Sequence, residues 1–600
     1  MSKLQYRPEL DGIRAISILL VLLFHVDKNL IPGGFIGVDI FFVLSGFLIS
    51  KIIIIGIQNH TFSYNDFYKR RIKRILPPFY FMILLTIISS LFIFLPADIN
   101  QLLKSAVSTL IFSSNYFFSG GLDYFSSNAD EQPLLHTWSL AVEEQFYFLF
   151  PLLIYFLIKI KNRKNLYLLL LCVFSFIFAE VLSNINSTKS FSYFSLPTRM
   201  GELLIGTLCA STTIKIKQSL FQYLGLGLIL VSSFIINNNT IFPGISAFIP
   251  CFGVGLLILS DNKKTFLFKI LSNNFITYIG RLSFSLYLFH WPVLAFSRYI
   301  IGEYTLINKN IIYFIIPIII LISIFSYHFI ENKIRYSKLN FKKAFFYIYL
   351  IPSVIVLLIT FLHWSGKINI TEYDKDITTY DNNLNICHNK VSDSCFLGEG
   401  SKKVALFGDS HAAQLSYFLI HEESDYSFYL NSASSCPIFD TIDINHITSN
   451  SIRKKCIDLR NNVNEKLDNF DTIFISQKWD QYLLNKNNII NIEKWLETHK
   501  DKKIIFILQP PEYKLDVLRS YKFDLENKKS NDFILANNLL IDLAKKYDNV
   551  YYLPLYRSLE DIENGIYNGI PLYRDNHHIN LLGSKYLLQH IKNIQGEIKP

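Results

Sequence analysis

Charged side chains are scarce in this chain. Asp, Glu, Lys and Arg together make up 18% of its 600 residues, whereas hydrophobic residues make up 50%. An average soluble domain is about 25% charged, so the composition excludes a chain built only of soluble domains. The scarcity is confined to residues 1 to about 363, which hold one long apolar run after another, while the remainder is rich in Asn, Asp, Lys and Tyr. We therefore expect one domain in a bilayer and one in water.

A nucleic-acid-binding strip is also missing, although the net charge is +10. Proteins that follow a nucleic acid strand combine basic and aromatic residues along one surface, and no such stretch occurs. The basic residues of the first half instead form short clusters between apolar runs, where the positive-inside rule places cytoplasmic loops. We therefore expect no nucleic-acid partner.

Cysteine is infrequent and unevenly distributed, and no pair has the C-x-x-C spacing of a zinc site. Three of the seven cysteines lie in apolar runs and are expected to be small buried hydrophobes: Cys172, Cys209 and Cys251. The other four lie in the soluble half: Cys387, Cys395, Cys436 and Cys456. An even number there predicts two disulfides in an oxidising compartment, most simply Cys387–Cys395 and Cys436–Cys456. Zinc is the less favoured alternative, and no metal cofactor is expected.

The apolar runs predict a bundle of about eleven transmembrane helices, because a helix needs ~20 apolar residues to cross a bilayer. The predicted spans are roughly 11–27, 35–56, 75–95, 134–158, 166–183, 197–213, 219–236, 244–260, 280–301, 311–331 and 345–363. Asp11 and Arg14 begin the first run and no small-residue cleavage site follows, so we expect a retained span rather than a cleaved signal. The less apolar stretch 97–133 is expected to be an external loop that can include a short helix lying on the membrane.

The loops between these spans predict the orientation. Basic clusters follow every second span, whereas the opposite loops, such as 184–196 and 237–243, are nearly uncharged. The N-terminus is therefore expected in the cytoplasm, and an odd number of spans places the C-terminal domain outside. The predicted domains are a membrane domain 1–335 with ten spans, an additional transmembrane helix with a linker at 336–374, and an extracytoplasmic domain 375–600.

The soluble half has α/β order. The runs "KVALFGD", "DTIFISQ", "KKIIFILQ" and "NVYYLPL" are typical of buried strands, and residues 484–499 and 530–547 of helices. This alternation predicts a parallel sheet.

The first span contains ionisable residues, which are expensive inside a membrane and usually functional. At ~100° per residue, Asp11, Arg14 and His25 share one helix face, and the rise from Arg14 to His25 is about 16 Å. Histidine is the side chain best suited to act as a base near neutral pH. The alternative is that Asp11 and Arg14 only pair at the interface while His25 lies at a helix end.

Other polar residues in the predicted spans suggest a polar cavity through the bundle. Arg199 and Glu202, three residues apart, are expected to form a buried ion pair. The remaining members are Asp39, Ser45, His136, Glu143, Glu144 and His290. One or two such residues would be structural, but this number predicts a functional interior.

Several ordered blocks of the first half resemble the membrane acyltransferase-3 family. They are "YRPELDGIRAISILLVLLFH", "PGGFIGVDIFFVLSGFLIS", "FYKRRIKRILP", "PLLHTWSLAVEEQFYFLFPLL" and "SFSLYLFHWPV", and the resemblance covers roughly residues 4–335. The family moves acyl groups, usually acetyl, from a cytoplasmic donor to a carbohydrate beyond the membrane. Its Arg–ten residues–His motif falls on Arg14 and His25, and its basic motif on Arg71 and Arg74. The resemblance implies acetyl-coenzyme A as donor, held by Arg14, Arg71 and Arg74 through charge-assisted hydrogen bonds to phosphate. The alternative for Arg71 and Arg74 is that they only set the topology.

The soluble half contains a candidate nucleophile. In "VALFGDSHAAQL" an apolar run ends at a turn with Ser410, and "YRDNHHINLLGSKYL" near the C-terminus places Asp575 three residues before His578. A G-D-S turn opening the domain and D-x-x-H closing it resemble the SGNH hydrolase family, which implies a Ser410–His578–Asp575 triad. The alternative is that Ser410 only begins a helix. His577 is out of register with the motif.

The usual oxyanion donors of that family are not evident in this sequence. The backbone N–H of Ser410 is one candidate. The side chains of Ser434, Ser435 and Lys478 are others.

Together, the two resemblances imply an O-acetyltransferase of the bacterial inner membrane. Its catalytic residues would be Asp11, Arg14, His25, Ser410, Asp575 and His578. The C-terminal domain would be periplasmic, and the acceptor an envelope polysaccharide, with lipopolysaccharide O-antigen as first choice and peptidoglycan as the alternative. Two readings from other classes remain, a transporter with a glycan-binding module and an outer-face acetyl esterase.

Overall fold

The computed structural model describes residues 6–120, 127–159, 163–302, 310–367, 374–380, 388–390, 394–444, 447 and 450–600. The chain divides into two units, Met1–Ile370 and Thr371–Pro600.

The regular secondary structure in the described part of the first unit is helical, apart from one β-bridge between Ile216 and Ser260. Its helices are α1 Pro8–Val26, α2 Gly37–Gln58, α3 Tyr64–Ile93, α4 Pro96–Leu110, α5 Ser114–Ser119, α6 Thr137–Lys159, α7 Lys164–Ser183, α8 Lys189–Phe194, α9 Leu196–Ser211, α10 Ser219–Ile235, α11 Ile245–Leu259, α12 Phe266–Leu271, α13 Asn274–Ile301, α14 Ile312–Arg335 and α15 Phe341–Trp364. Each of the eleven predicted spans falls on one of them. Five helices in the described part are long and apolar enough to cross a membrane: Gly34–Gln58, Tyr64–Ile93, Lys164–Ser183, Ile312–Arg335 and Phe341–Trp364. The unit therefore contains membrane-spanning helices, and the count of eleven stays a prediction.

Helix α1 packs against α2 and α13. Pro8 occupies its first turn, where a missing N–H costs nothing, and Glu9 and Asp11 face the positive end of the helix dipole. Gly280 allows the close approach of α13, because a Cβ at this position would lie 1.8 Å from the carbonyl oxygen of Asp11. This contact sets α1 and α13 side by side, and the two helices carry His25 and His290.

The stretch predicted as an external loop, possibly with a short helix, contains two helices, α4 and α5, so it is more helical than predicted. Helix α4 spans 15 residues and buries Ile99, Leu102, Leu103 and Ala106 along one face. This spacing is that of an amphipathic helix. Its polar residues Asp98, Asn100 and Lys104 lower the average hydropathy that led to the loop reading.

The second unit is an α/β domain with a mostly parallel sheet, as predicted, and this sheet has six strands. The strands are β1 Phe396–Leu397, β2 Lys402–Gly408, β3 Tyr426–Ser432, β4 Thr472–Ser476, β5 Lys503–Ile507 and β6 Val550–Leu553, in the order β1-β3-β2-β4-β5-β6. All neighbours are parallel except β1 and β3. A small hairpin pairs β7 Ile566–Tyr567 with β8 Ile570–Pro571. The helices are Lys375–Thr378, Ser410–Ala413, Ser416–His421, Asn450–Lys466, Trp479–Leu483, Lys486–Thr498, Val517–Phe523, Asp532–Lys546 and Leu581–His590.

The four predicted strands are β2, β4, β5 and β6, and the two predicted helices are Lys486–Thr498 and Asp532–Lys546. Strand β3 and helix Asn450–Lys466 were not predicted. The run "YSFYLNS" of β3 mixes aromatic residues with serine and asparagine, so it has no continuous apolar pattern.

Strand β2 lies where the order of the sheet reverses, between β3 and β4. In open parallel sheets, ligands bind outside the carboxyl ends of the strands at this switch point. The last residue of β2 is Gly408. A glycine is required here, because a Cβ at this position would lie 1.8 Å from the carbonyl oxygen of Ser476 on β4. The next two residues, Asp409 and Ser410, therefore emerge at the switch point.

Candidate active site

The second unit brings Ser410, His578 and Asp575 together. Ser410 Oγ lies 2.7 Å from His578 Nε2, and His578 Nδ1 lies 2.8 Å from Asp575 Oδ2. Asp575 is an acceptor, so it fixes the tautomer in which Nδ1 carries the proton and Nε2 faces the serine hydroxyl as a base. This is the geometry of a Ser-His-Asp nucleophile.

The carboxylate of Asp575 is held by more than the imidazole. Its Oδ1 accepts the backbone N–H groups of His577 and His578 at 3.0 and 2.7 Å. Burial opposes its ionisation, but the hydrogen bond from the His578 ring and these N–H donors hold the pKa of Asp575 below its usual range. The group therefore stays charged and can stabilise an imidazolium.

Asp409 organises the nucleophile turn from inside. Its Oδ1 accepts the N–H of His411 at 2.8 Å, and its Oδ2 accepts the N–H of Lys478 at 2.9 Å. Burial raises the pKa of Asp409 to about 6, even though these two N–H donors lower it. Through its two hydrogen bonds, the Asp409 side chain connects the segments that follow β2 and β4.

A second tie joins the serine helix to the histidine loop. Gln414 Oε1 accepts the N–H of Ile579 at 2.9 Å, and Gln414 Nε2 donates to the hydroxyl of Tyr556 at 3.3 Å. These hydrogen bonds help to hold Ser410 and His578, which are 168 positions apart in the chain, at hydrogen-bonding distance.

The proposed oxyanion donors differ in their surroundings. Ser410 begins the helix Ser410–Ala413, so its N–H is one that the helix leaves without an intrahelical partner. The Lys478 ammonium group is 2.6 Å from Glu512 and 3.1 Å from Asp480, so it is held in ion pairs. Ser434 Oγ lies 3.0 Å from His388 Nε2, and Ser435 has a positive φ of 54°. Of these groups, the Ser410 N–H is the best placed beside the nucleophile.

Cysteine pairing agrees with the prediction where the structure describes it. Cys436 and Cys456 form a disulfide with Cα atoms 5.3 Å apart. Cys395 is disulfide-bonded, and Cys387, its predicted partner, lies outside the described residues. Cys172, Cys209 and Cys251 are free and buried, as expected.

The first unit groups the predicted arginines around a cavity of about 90 Å³. Arg14, Arg71 and Arg74 line it together with Ser45 and Glu143. The hydroxyl groups of Ser45 and Tyr147 both donate to Glu143 Oε1. Asp11 pairs with Arg14 at 3.4 Å but does not line this cavity.

A larger cavity of about 970 Å³ shares Arg14 and Arg74 with the first. Basic side chains outnumber acidic ones among its lining residues. The basic residues are Arg7, Arg14, Lys51, Arg74, Lys215, Lys263, Arg281 and Arg335, and the acidic ones are Glu9, Asp11, Asp261 and Glu331. Most of these lie at helix ends and loops for which the distribution of basic residues in the sequence predicts a cytoplasmic position.

His25 and His290 are in direct contact, with His25 Nδ1 and His290 Nε2 3.0 Å apart. His290 Nδ1 faces only carbonyl oxygens, those of Tyr287 at 2.7 Å and Leu286 at 3.1 Å, so Nδ1 carries the proton. In neutral His290, Nε2 then accepts, and the proton of His25 lies on Nδ1. His25 Nε2 is therefore the nitrogen left with a lone pair, as in a general base.

His136 belongs to the same cluster, because its ring centroid lies 6.0 Å from that of His290 and 5.6 Å from that of Tyr287. Tyr287 also lines the smaller cavity, which places the histidines next to the arginines' pocket. Glu144 follows Glu143 on α6 and does not line either cavity.

Asp39, Arg199 and Glu202 form a separate buried cluster. Arg199 Nη1 is 2.8 Å from Glu202, the predicted ion pair, and 2.9 Å from Asp39. All three side chains are at most 1% exposed, and none lines either cavity. They connect α2 to α9 rather than extend the polar cavity.

Sequence reasoning overlooked Arg298, Tyr147 and His411. Arg298 donates to the carbonyl oxygens of His25 and Asp130, and its charge within a predicted span was a signal that could have identified it. Burial lowers the pKa of His411 well below the usual value, and its position directly after the nucleophile gave no signal of its own.

Two protein-family models match this chain. A sequence model described as an acyltransferase domain matches residues 7–329, more than half of the chain. The chain belongs to this acyltransferase family. A second model, described as an SGNH domain fused to such acyltransferase domains, matches residues 379–593.

Two curated proteins that are similar to this chain come from Staphylococcus aureus (strain MRSA252). O-acetyltransferase OatA is 32% identical over 387 residues, which cover 59% of this chain and 63% of OatA. The chain thus matches less than two thirds of the length of OatA. SAR0937, a provisionally named O-acetyltransferase, is 28% identical over 588 residues, or 92% of each chain. The solved periplasmic domain of a lipopolysaccharide acetyltransferase from Salmonella ser. Paratyphi A aligns with 18% identity and a TM-score of 0.27, covering 34% of this chain and 89% of that domain.

Proposed function

We propose that this chain is an O-acetyltransferase that moves an acetyl group from cytoplasmic acetyl-coenzyme A across the inner membrane of a bacterium to a hydroxyl of an envelope polysaccharide. The observation that supports this most strongly is the assembled triad, with Ser410 Oγ 2.7 Å from His578 Nε2, in a chain whose first unit belongs to the acyltransferase family. A binding module needs no nucleophile, so the triad weighs against the transporter reading.

The larger cavity of the first unit is the proposed donor site. Acetyl-coenzyme A is a polyanion, and guanidinium groups bind phosphate oxygens in a bidentate manner. Arg14 and Arg74 line both cavities, so a nucleotide in the larger one would direct its thioester towards the smaller. Arg71, Ser45 and Glu143 would surround that end.

The histidine pair is the proposed acid–base centre of the membrane unit. His25 lies about 16 Å along α1 from Arg14, on the far side of the donor cavity from the cytoplasm. The His290 ring is held by backbone carbonyl oxygens at its Nδ1. Its Nε2 would accept a hydrogen bond from His25 Nδ1 and so orient the His25 ring. At this point His25 Nε2 would take the proton of an acceptor hydroxyl while the acceptor oxygen attacks the thioester carbonyl carbon. The C–S bond would break, and coenzyme A would leave as the thiol with that proton.

The triad of the second unit is the proposed delivery site. Ser410 Oγ would attack the acyl carbonyl carbon while His578 Nε2 takes the hydroxyl proton, and the leaving group would depart with that proton. A sugar hydroxyl, deprotonated by the same nitrogen, would then attack the acyl-serine and release Ser410. Asp575 stabilises the imidazolium in both steps.

The proposed topology has eleven spans, with the N-terminus in the cytoplasm and the second unit in the periplasm. The alternation of basic loops supports this orientation, and the Cys436–Cys456 disulfide is typical of an oxidising compartment.

As acceptor we propose lipopolysaccharide O-antigen, with peptidoglycan as the acceptor to be distinguished from it. Both would be extracted from a deletion strain and from the complemented strain, and their mass spectra compared. Acetyl groups that appear on O-antigen upon complementation would support the proposal. Acetyl groups gained only on peptidoglycan would move the activity to that polymer, and acetyl groups lost from either would indicate an esterase.

The triad is tested with the full chain in detergent and para-nitrophenyl acetate, a small activated ester. We expect the wild type to hydrolyse the ester and Ser410→Ala to lose this activity by at least about two orders of magnitude. Ser401→Ala, an exposed serine of the same unit that bonds Asp425, is the matched control. Equal rates for Ser410→Ala and the wild type would remove Ser410 as the nucleophile.

A further inference from the structure

The imidazole side chains of two histidines beside the triad have no part in its chemistry. His411 is fully buried directly after the nucleophile, and His577 directly precedes the base. His411 Nε2 lies 3.0 Å from His577 Nδ1, and the ring centroids of His577 and His578 are 4.0 Å apart. A Ser-His-Asp triad uses one imidazole, so the other two require a different explanation.

We propose that His411, His577 and His578 form a Zn²⁺ site whose occupation switches the triad off. One ring nitrogen of each residue lies within 4.8 Å of the others. Zn²⁺ binds imidazole nitrogens at about 2.0–2.1 Å in a tetrahedron, which places ligand atoms roughly 3.3 Å apart. The pair of His411 and His577 already meets this spacing, so the site forms by a small movement of ring positions.

The neutral tautomers of His411 and His577 can bind Zn²⁺ without either ring losing a proton to solvent. Nδ1 of His411 is buried and has no hydrogen-bond partner in the described part of the chain, so a proton can move there from Nε2 and leave Nε2 as a ligand. His577 binds through Nδ1 with its proton on Nε2. Three neutral imidazoles are the ligand set of catalytic zinc sites such as that of carbonic anhydrase.

Asp575 completes the arrangement behind the ligands. It accepts the Nδ1–H of His578 at 2.8 Å, and a carboxylate–histidine–metal chain of this kind fixes the ring and raises its basicity. The orientation that makes His578 Nε2 a base therefore also makes it a metal ligand.

Two cations near the three histidines are each paired with carboxylates. The Lys478 ammonium group contacts both Asp480 and Glu512, and Arg574 Nε lies 3.6 Å from Asp575 Oδ2. Ser410 Oγ or a water would occupy the fourth position of the metal.

Zinc and catalysis exclude each other at one atom. His578 Nε2 cannot accept the Ser410 proton while its lone pair binds a metal, so bound Zn²⁺ removes the base. This consequence rests on the proposed triad chemistry, whereas metal binding does not, and the two are measured separately.

The test uses the full chain in detergent with Zn²⁺ and Co²⁺ as probes. We expect micromolar Zn²⁺ to inhibit para-nitrophenyl acetate hydrolysis reversibly, with activity restored by EDTA. His577→Asn should leave the uninhibited rate within about twofold of the wild type and raise the half-inhibitory Zn²⁺ concentration at least about tenfold, because one of three ligands is lost. His590→Asn, an exposed histidine of the same unit, is the matched control and should behave like the wild type.

Binding is read independently from the visible absorption of Co²⁺, which is intense only in tetrahedral sites. We expect one such Co²⁺ per chain, displaced by Zn²⁺, and its loss in His577→Asn. Tetrahedral Co²⁺ that persists unchanged in His577→Asn, or an absence of binding by the wild type, would overturn the site. A chain that binds Co²⁺ but hydrolyses no ester would retain the site and reject the proposed function instead.

Discussion

The carboxylate of Asp575 receives three hydrogen bonds, one from the His578 ring and two from backbone N–H groups. An amide in its place offers one acceptor oxygen and leaves the imidazole without a negative partner. We therefore expect Asp575→Asn to lower kcat for ester hydrolysis by about 10²–10⁴ with little change in KM. Steady-state kinetics of the full chain measure this, and a kcat within threefold of the wild type would exclude Asp575 from the triad.

His290 is expected to position His25 rather than contact the acyl group. His290→Gln removes a ring that accepts from His25 Nδ1 while it donates to backbone carbonyls. The acetylation of the envelope polysaccharide should fall at least about tenfold, whereas ester hydrolysis by the triad should stay unchanged.

The matched control is His328→Gln, a histidine of α14 that contacts Tyr278. Because a structural role of His290 would lower the amount of folded protein, acetylation is normalised to chain in the membrane. Normal acetylation with His290→Gln would separate His290 from the mechanism.

His388 predicts how acid affects the second unit. Burial, with smaller contributions from His578, Lys455 and Arg574, lowers the pKa of His388 to about 4. Because the unfolded ring binds a proton below about pH 6.5 and the folded one does not, stability is lost as the pH falls from 6.5 towards 4. At pH 5 the loss amounts to about 2 kcal/mol.

We expect His388→Asn to reduce the difference between the unfolding midpoints at pH 7.5 and pH 5 by roughly 4–8 °C. Thermal unfolding of the second unit within the full chain gives both midpoints. An identical pH dependence in wild type and variant would contradict a neutral buried His388.

At the scale of elements, patterns within a single stretch could be predicted and contacts between distant stretches could not. The strands β2, β4, β5 and β6 are continuous apolar runs, and Arg199 and Glu202 are three residues apart on one helix, so local sequence was sufficient. Asp39 joins them from 160 residues away, and His290 meets His25 from 265 residues away. Only the packing of α1 against α13 and of α2 against α9 creates these contacts.

The length of helix α4 and the presence of strand β3 were not predicted, because the burial of each depends on contacts with other elements. Helix α4 is amphipathic rather than uniformly apolar, so a search for membrane spans passed over it. Strand β3 has aromatic and amide side chains on a strand that is buried by its two neighbours, and such burial becomes evident only in the assembled sheet.

The disulfide between Cys436 and Cys456 connects the segment after β3 to the helix Asn450–Lys466. It closes a loop of about 20 residues, which the chain-entropy model credits with roughly 3 kcal/mol. After denaturation without reductant, alkylation should label Cys172, Cys209 and Cys251 and leave the four cysteines of the second unit unlabelled. Labelling of Cys436 or Cys456 would contradict both the pairing and the oxidising compartment inferred from it.

At the scale of the whole molecule, the proposed function divides one reaction between the two units. The first unit has cavities lined by arginine and an oriented histidine pair, while the second has a complete triad. Under the proposed function neither set alone would move an acetyl group from a cytoplasmic thioester to a sugar outside, because ~30 Å of hydrocarbon would lie between the two compartments. The account therefore requires both sets to act in sequence.

The most direct measurement is the acetyl content of the envelope polysaccharide, determined by mass spectrometry in a deletion strain that expresses each variant at equal membrane levels. The account predicts that His25→Ala and Ser410→Ala both abolish acetylation, that Ser401→Ala retains it, and that Ser410→Ala still binds or turns over acetyl-coenzyme A. Normal acetylation by Ser410→Ala would contradict the account, because the membrane unit would then transfer the acetyl group to the sugar without the triad.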